Sequence, residues 1–251
     1  YKRQIHLVCL IPIILGFLIP VLFIINNVIY EFSRIDFIKV FNLTTNTVII
    51  SLIATLIILV IAVYFQFLKR ILKNRTITFF NEVISLTYAL PGAVIGLSLI
   101  LLFTSYPFEN ELLIGSFGIL VYAYVIRYMA VGISPLKSSF DKHPSSYDDT
   151  AFNLGMGPTK LFRSIHLPIN KSAIAIAFLI TFVDIIKELP ITLILRPFNF
   201  DTLAVQTYEY AIEEMIPKSS IYSLAIVMLG TILLIFLKKI VNKEIDVPKS
   251  K

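Results

Sequence analysis

The feature that most constrains this chain is a set of long stretches without charged side chains. Residues 7–30, 42–68 and 83–107 contain no Asp, Glu, Lys, Arg or His. A helix needs about 20 residues to cross a hydrocarbon layer roughly 30 Å thick. Each stretch is long enough to do so with some tilt. The sequence therefore predicts membrane-spanning segments rather than a water-soluble core.

Three further apolar stretches complete a predicted set of six spans. Residues 112–136 are interrupted by Arg127, residues 219–237 are uncharged, and residues 172–195 carry charges near their centre. Lipid offers the backbone no hydrogen-bond partners, and the alternation typical of barrel strands does not occur. Only 15% of the residues are charged, against about a quarter in soluble domains. We expect an all-α polytopic membrane bundle of six transmembrane helices, forming one domain over residues 1–251.

The basic residues lie mainly in the gaps between the predicted spans, and mainly on one side. If the N-terminus is cytoplasmic, most of the 22 Lys and Arg residues fall in cytoplasmic segments. The positive-inside rule then places both termini in the cytoplasm. Because this distribution explains the net charge of +6, we expect contact with membrane lipid and no nucleic-acid partner.

The longest predicted cytoplasmic connection, residues 137–171, carries the start and stop signals of two short helices. Ser146 followed three residues later by Asp149 fits a capping box. Gly155 stands where a helix ends in a left-handed residue, and Pro158 suits the first turn of a second helix. The apolar residues of the first helix share one face: Tyr147, Ala151 and Leu154.

The second short helix is predicted to stop before Pro168. It holds three apolar side chains together with two basic ones beside them: Leu161, Phe162, Ile165, Lys160 and Arg163. The pattern favours a compact helix-turn-helix with an exposed apolar ridge. The alternative is an amphipathic connector that lies on the bilayer surface.

Residues 149–168 resemble the EAA loop of ABC-importer permeases, which reads Glu-Ala-Ala, three residues, Gly and later Ile-x-Leu-Pro. Asp149 stands at the family's Glu, and Thr150 replaces its first Ala. The remaining motif positions match. The resemblance implies a coupling helix that seats in a groove of a separate ATPase subunit. The coupling residues that it implies are Asp149, Ala151, Gly155, Pro158, Phe162, Ile165, Leu167 and Pro168.

The fifth predicted span carries Asp184, Lys187, Glu188 and Pro190 within an otherwise apolar stretch. A charge at the centre of a membrane helix costs on the order of 2.5 to 3.5 kcal/mol. Lys187 can neutralise one acid on the same helical face, and Arg127 of the fourth span is the expected partner of the other. One hypothesis places this cluster on a translocation pathway or gate, with Pro190 permitting a bend. The alternative is a paired structural brace, and the sequence does not require a proton relay.

Residues 187–204 are similar to the end of the fifth span in the ferric-iron group of these permeases. The resemblance implies a MetI-like ABC permease fold in a bacterial inner membrane. It also implies ABC ATPase subunits, a second permease half or second copy, and an extracytoplasmic solute-binding protein as partners. Members of this group carry two six-helix halves in one polypeptide, so we expect a C-terminal half. Ferric iron is the expected cargo, with thiamine, phosphonate, polyamine or an ion-coupled secondary transporter as alternatives.

Enzyme motifs do not occur in this sequence. The run from Gly155 to Lys160 departs from the phosphate-loop pattern, and the sequence contains neither a His-Glu-x-x-His zinc helix nor a Gly-x-Ser-x-Gly elbow. We therefore expect a transport component rather than an enzyme, with no catalytic residue, metal site or cofactor of its own. ATP and magnesium are expected on the partner ATPase.

Two weaker patterns concern packing and docking. Gly92 and Gly96 form a Gly-x-x-x-Gly pair, which predicts close helix approach. Aromatic and acidic residues gather after the fifth span: Tyr208, Glu209, Tyr210, Glu213 and Glu214. Their oxygens suit a ferric ion, but a solvated loop or a docking surface for a solute-binding protein is favoured.

Overall fold

The computed structural model describes residue 8, residues 10–105 and residues 114–245, and every regular element in these ranges is helical. The all-α prediction is confirmed. The predicted span limits at residues 7, 106–107 and 112–113 lie outside the described residues. In chain order the helices are α1 Leu10–Arg34, α2 Phe37–Leu72, α3 Arg75–Ala89, α4 Gly92–Thr104, α5 Phe117–Lys142, α6 Ser146–Asn153, α7 Pro158–Ile169, α8 Lys171–Ile186, α9 Pro190–Leu195, α10 Leu203–Ile212 and α11 Ile216–Ile245.

Within the described ranges, four helices are long and apolar enough to cross a membrane, namely α1, α2, α5 and α11. The bent pairs α3–α4 and α7–α8 raise the number to six if each pair is one span. The multi-pass prediction is therefore confirmed. α2, α5 and α11 are longer than the predicted spans, because each helix continues past its apolar part into charged residues.

The third predicted span, residues 83–107, is wrong as a single helix. α3 and α4 meet at a bend of 109°, where Leu90 is extended and Pro91 is the N-cap of α4. Proline restricts the residue before it to extended conformations and cannot donate a backbone hydrogen bond. α4 has 13 residues, which corresponds to about 20 Å of helix.

The fifth predicted span, residues 172–195, is also wrong as a single helix. α8 ends at Ile186, and α9 begins with Pro190 in its first turn. A proline at this position needs no hydrogen-bond acceptor, so Pro190 starts a helix instead of bending one. Lys187 and Glu188 therefore lie in a non-helical break rather than on one helical face.

The centre of the bundle is formed by α2, α5 and α8. Gly132 of α5 faces Ile58 of α2, and a Cβ atom on Gly132 would lie 2.5 Å from Ile58 Cγ2. α4 packs on α9 in a similar way, since a Cβ atom on Gly96 would lie 3.2 Å from the Ile194 side chain. The predicted packing role of the Gly-x-x-x-Gly pair is confirmed. α1 packs on α11 at the outside of the bundle.

Candidate functional site

The loop between α5 and α8 contains two short helices, as predicted, but it starts differently. α5 continues to Lys142, so the first residues of the predicted loop are helical. α6 has Ser145 as its N-cap, and the capping box predicted for Ser146 is therefore wrong. Asp148 and Asp149 lie in the first turn of α6, where the helix dipole favours negative charge. Asp148 is buried and Asp149 is exposed.

Gly155 ends this first helix in the left-handed conformation, as predicted, with a φ of +76°. The N–H of Met156 donates to the carbonyl of Ala151 at 2.9 Å, and the N–H of Gly155 donates to the carbonyl of Phe152 at 2.9 Å. These two bonds define a Schellman motif. Pro158 then stands in the first turn of α7, which confirms the predicted start of the second helix.

α7 continues past Pro168, so the predicted stop before this residue is wrong. Residues Phe162–His166 form a π-helical turn, in which the N–H of Leu167 donates to the carbonyl of Phe162. A π-helical turn shifts the pattern of backbone hydrogen bonds by one residue. This turn lies next to Pro168, whose backbone nitrogen cannot donate a hydrogen bond. The helix instead ends at Ile169, where the chain bends by 70° into α8.

The apolar side chains of α7 face inward and do not form an exposed ridge. Leu161 is fully buried, and Phe162 and Ile165 pack beside it. The buried neighbours come from three other helices: Phe67, Phe140 and Ala151. The grouping of the α7 residues is confirmed, and its predicted exposure is wrong because the extended ends of α2 and α5 cover it.

The exposed apolar surface of the loop comes from α6 and its C-cap. Tyr147, Phe152 and Leu154 are exposed, and Leu154 retains 78% of its accessible surface. We call these three the exposed α6 residues. Ala151, which is predicted to lie on the same helical face, is buried, whereas Tyr147 and Leu154 are exposed. Among the other predicted coupling residues, those exposed are Asp149, Gly155, Pro158 and Pro168, and those partly buried are Phe162, Ile165 and Leu167.

A buried ionic cluster, which the sequence analysis missed, joins the loop to the spans. Arg70 Nε donates to Asp148 Oδ2 at 2.6 Å, and His166 Nε2 lies 2.8 Å from Asp148 Oδ1. Burial lowers the pKa of His166 below its ordinary value of 6.5, although the hydrogen bond to Asp148 opposes this shift. The imidazole is therefore neutral at neutral pH and donates to the carboxylate. Asp148 and Arg70 are 78 residues apart, so local sequence patterns carry no signal of their contact.

The four charges around the fifth span pair as predicted. Arg127 Nε lies 3.5 Å from Glu188 Oε2, and Lys187 Nζ lies 2.8 Å from Asp184 Oδ1. The two pairs differ in environment, because Glu188 is buried whereas the Lys187 side chain is 61% exposed. The pairing is confirmed, while the role of the cluster on a pathway or gate stays a prediction.

Glu188 lies where two helix breaks meet. Besides its contact with Arg127, it accepts hydrogen bonds from the Tyr128 hydroxyl and, at 3.1 Å, from the Ile191 N–H. The Arg127 guanidinium also donates to the Leu90 carbonyl. One buried ion pair thus connects the break between α3 and α4 to the break between α8 and α9.

A cleft of about 480 Å³ opens beside Asp184. Its polar lining comes from α3, α5 and α8 and consists of Ser85, Tyr88, Ser134, Lys137 and Asp184. Hydroxyl, ammonium and carboxylate groups at one cleft among apolar helices offer partners to a polar solute. Ionisable residues at such places in a membrane protein typically mark a solute or ion route.

The acidic residues of the described ranges do not gather into a resident metal site. Within these ranges, no group of three or more His, Cys, Asp and Glu side chains is placed to hold a metal ion. In the outer segment, Glu209 pairs with Arg196 at 2.8 Å, and Arg196 also pairs with Asp201. Tyr210 stacks on Tyr222. These side chains are used in packing and pairing within the chain.

Known proteins resemble this chain over most of its length. A family model described as "Binding-protein-dependent transport system inner membrane component" matches residues 73–247. The Fe(3+)-transport system permease protein FbpB 2 of Haemophilus influenzae is 26% identical over 204 residues, covering 81% of this chain and 40% of that protein. The maltose/maltodextrin transport system permease protein MalG of Escherichia coli K12 is 32% identical over 94 residues, covering 37% of this chain and 31% of MalG. The chain spans less than half the length of these relatives.

Proposed function

We propose that transport through this chain is driven by a separate ATPase that docks on the α6–α7 loop, because the chain belongs to the family of binding-protein-dependent transport system inner membrane components. The observation that carries this proposal is the exposure of Tyr147, Phe152 and Leu154 on the short helix α6 and its C-cap. Exposed apolar side chains grouped on one short element mark protein interaction sites. The resemblance of residues 149–168 to the EAA loop supports the same partner.

The proposed coupling step is mechanical. ATP binding closes the ATPase subunits, and the α6–α7 loop moves with the groove in which it sits. The loop is packed on the ends of α2 and α5 through Leu161, Phe67 and Phe140. The movement therefore reaches the spans, and access to the pathway changes from one side of the membrane to the other. A second permease half or a second copy completes the pathway.

We place the pathway along the cleft beside Asp184 and the gate at the two helix breaks around Glu188. Asp184, Ser134 and Lys137 give the cleft its polar lining. Arg127, Glu188 and Pro190 lie at or beside the breaks between shorter helices, where small rotations change the width of an opening. The proposal is supported by charge placement and by the helix breaks.

For the cargo we propose ferric iron, delivered by a solute-binding protein. The proposal is supported by the resemblance of residues 187–204 and by the Fe(3+)-transport permease relative, which aligns with 81% of the chain. Carboxylate and hydroxyl oxygens in the cleft are ligands that a hard cation accepts. A maltose-type sugar is the second candidate, because the MalG relatives align with 37% of the chain. We propose that the solute-binding protein docks near Phe198, because this apolar side chain is fully exposed on the segment between α9 and α10.

The test uses the full-length permease, reconstituted in proteoliposomes with candidate ATPases. ATP-dependent uptake of radiolabelled ferric iron is measured with its binding protein and with a maltose-binding protein as the alternative. Uptake that continues after the proton gradient is collapsed and stops when the ATPase is omitted supports the proposal. Uptake that follows the proton gradient without an ATPase would show an ion-coupled carrier instead.

A further inference from the structure

Arg70, near the end of α2, makes hydrogen bonds to three separate parts of the chain. Its Nε atom donates to Asp148 Oδ2 at 2.6 Å. Its two terminal nitrogens donate to the carbonyls of Phe140 at 2.6 Å, His143 at 2.9 Å and Pro144 at 2.8 Å. The side chain is only 12% exposed. One guanidinium therefore uses most of its five donors inside the protein.

These acceptors belong to the end of α5 and to the start of the cytoplasmic loop. Phe140 lies in the last turn of α5. The backbone carbonyls of a last turn have no N–H donor within the helix. Asp148 lies in the first turn of α6. Arg70 thus holds α2, the end of α5 and α6 in one fixed arrangement. A positive charge at this place also complements the C-terminal end of the α5 dipole.

Asp148 extends the same contact to α7. Its second oxygen, Oδ1, lies 2.8 Å from His166 Nε2. The His166 ring stacks on Phe140 with ring centroids 5.5 Å apart and an angle of 12° between the planes. The His166 carbonyl accepts a bond from Asn170 Nδ2 at 2.8 Å, and Asn170 in turn accepts from Ser139 Oγ at 2.7 Å. α6 is therefore tied to α2 by the charge-assisted hydrogen bond between Arg70 and Asp148, which is stronger than a neutral one. α7 joins them through the contact of His166 with Asp148 and its stacking on Phe140.

We propose that Arg70, Asp148 and His166 form a clamp that transmits movement of the α6–α7 loop to α2 and α5. The inference rests on the proposed function, because it assumes that an ATPase moves this loop. A loop joined to the spans only by its chain ends would bend when pulled. One buried ion pair and the hydrogen bonds around it join α2, α5, α6 and α7, so loop and helix ends move as one body. The three residues are positioning residues, and none of them belongs to the exposed α6 residues that meet the ATPase.

The clamp is tested by comparing Arg70→Gln with Lys69→Gln in the full-length permease, bound to its ATPase in proteoliposomes. Both variants lose one positive charge at the end of α2, but the ion pair of Lys69 is with the exposed Asp141, at 4.0 Å, and does not reach α6 or α7. The reporter is Ser134→Cys in the cleft, and the readout is the change in its maleimide labelling rate when ATP is added. We expect wild type and Lys69→Gln to change at least fivefold and Arg70→Gln less than twofold, with ATPase binding kept in all three.

Two further variants separate transmission from simple loss of structure. Asp148→Asn alone and Asp148→Asn combined with Arg70→Gln are expected to lose the ATP response to the same extent, because the two residues act through one contact. An ATP response of wild-type size in Arg70→Gln would overturn the clamp. Loss of folded protein together with loss of ATPase binding would also overturn it, because the cluster would then be merely structural. If the wild-type permease binds no ATPase, the proposed function fails and the clamp fails with it.

Discussion

At the scale of single residues, Glu188 accepts hydrogen bonds from the Tyr128 hydroxyl and the Ile191 N–H, and its carboxylate forms an ion pair with Arg127. Replacing Glu188 by Gln removes the charge that balances Arg127 within the bundle. Breaking a buried pair from one side typically costs about 3 to 5 kcal/mol, so we expect Glu188→Gln to lower the thermal unfolding midpoint of the purified permease clearly. The double variant Arg127→Gln/Glu188→Gln restores neutrality and should lose less than the sum of the single losses. Additive losses would show that the two residues do not depend on each other.

A second residue prediction concerns His166 and acid. Its pKa in the folded protein is lowered by burial, so unfolding raises its affinity for a proton. Its contribution to stability is therefore present above the unfolded pKa of about 6.5 and is lost as the pH falls below that value. We expect the unfolding midpoint of wild type to fall between pH 8 and pH 5.5 by more than that of His166→Gln. Equal pH dependence of the two proteins would contradict this assignment.

Some residues of the loop were predictable and others were not, for a physical reason. Gly155 and Pro158 act through local backbone conformation, and a helix end of this kind can be recognised from a few neighbouring residues. Asp148 and Asp149 are adjacent residues of the same type, yet Asp148 is buried and Asp149 is exposed. The difference arises from Arg70, and no local pattern reports a contact across 78 residues.

At the scale of elements, absence of charge predicted the long helices well and helix breaks poorly. α2 is a continuous helix of 36 residues, because nothing in residues 42–68 interrupts it. Residues 83–107 are equally apolar, but Pro91 divides them into α3 and α4. The break after Ile186 differs, because α8 has already ended when Pro190 starts α9. Hydropathy reports the environment of a stretch, whereas the position of a break depends on single backbone hydrogen bonds.

The packing of α2 against α5 gives a prediction at this scale. A Cβ atom on Gly132 would lie 2.5 Å from Ile58 Cγ2, so Gly132→Ala forces the two helices apart. Overpacking of this kind costs about 1 to 3 kcal/mol, which should appear as a lower unfolding midpoint. Gly230→Ala in α11 is the matched control, because nothing lies within 4 Å of the added atom. Restoration of stability by Ile58→Ala in the Gly132→Ala background would identify the clash as the cause, and a neutral effect of Gly132→Ala would contradict the packing.

At the scale of the whole molecule, the chain combines a helical bundle, a polar cleft beside Asp184 and an α6–α7 loop that packs on the bundle. The multi-pass helical character of the chain was predictable from hydropathy, while the described residues hold four long apolar helices, or up to six if each bent pair is one span. The cleft was not, because it depends on how α3, α5 and α8 pack. The pairing of Arg127 with Glu188 was predictable, since few other charges lie within the spans.

The orientation of the molecule in the membrane is open to a labelling test. We expect both termini and the α6–α7 loop in the cytoplasm, following the positive-inside rule. In a Cys9→Ser background, Phe198→Cys should react with a membrane-impermeant maleimide in intact cells. Leu154→Cys, at a position that is also highly exposed, should react only after permeabilisation. The reverse pattern would invert the proposed topology.

The most direct test of the central claim is binding of an ATPase to the α6–α7 loop, measured by co-purification with the full-length permease. Gly155→Val and Gly157→Val place the same side chain two residues apart, but Gly155 has a φ of +76° whereas Gly157 is extended. Only the first substitution strains the turn that presents the exposed α6 residues. We predict that wild type and Gly157→Val retain the ATPase, while Gly155→Val loses at least nine-tenths of it and still purifies as a folded permease. Equal ATPase binding by wild type and both variants, or no binding by wild type, would contradict the account.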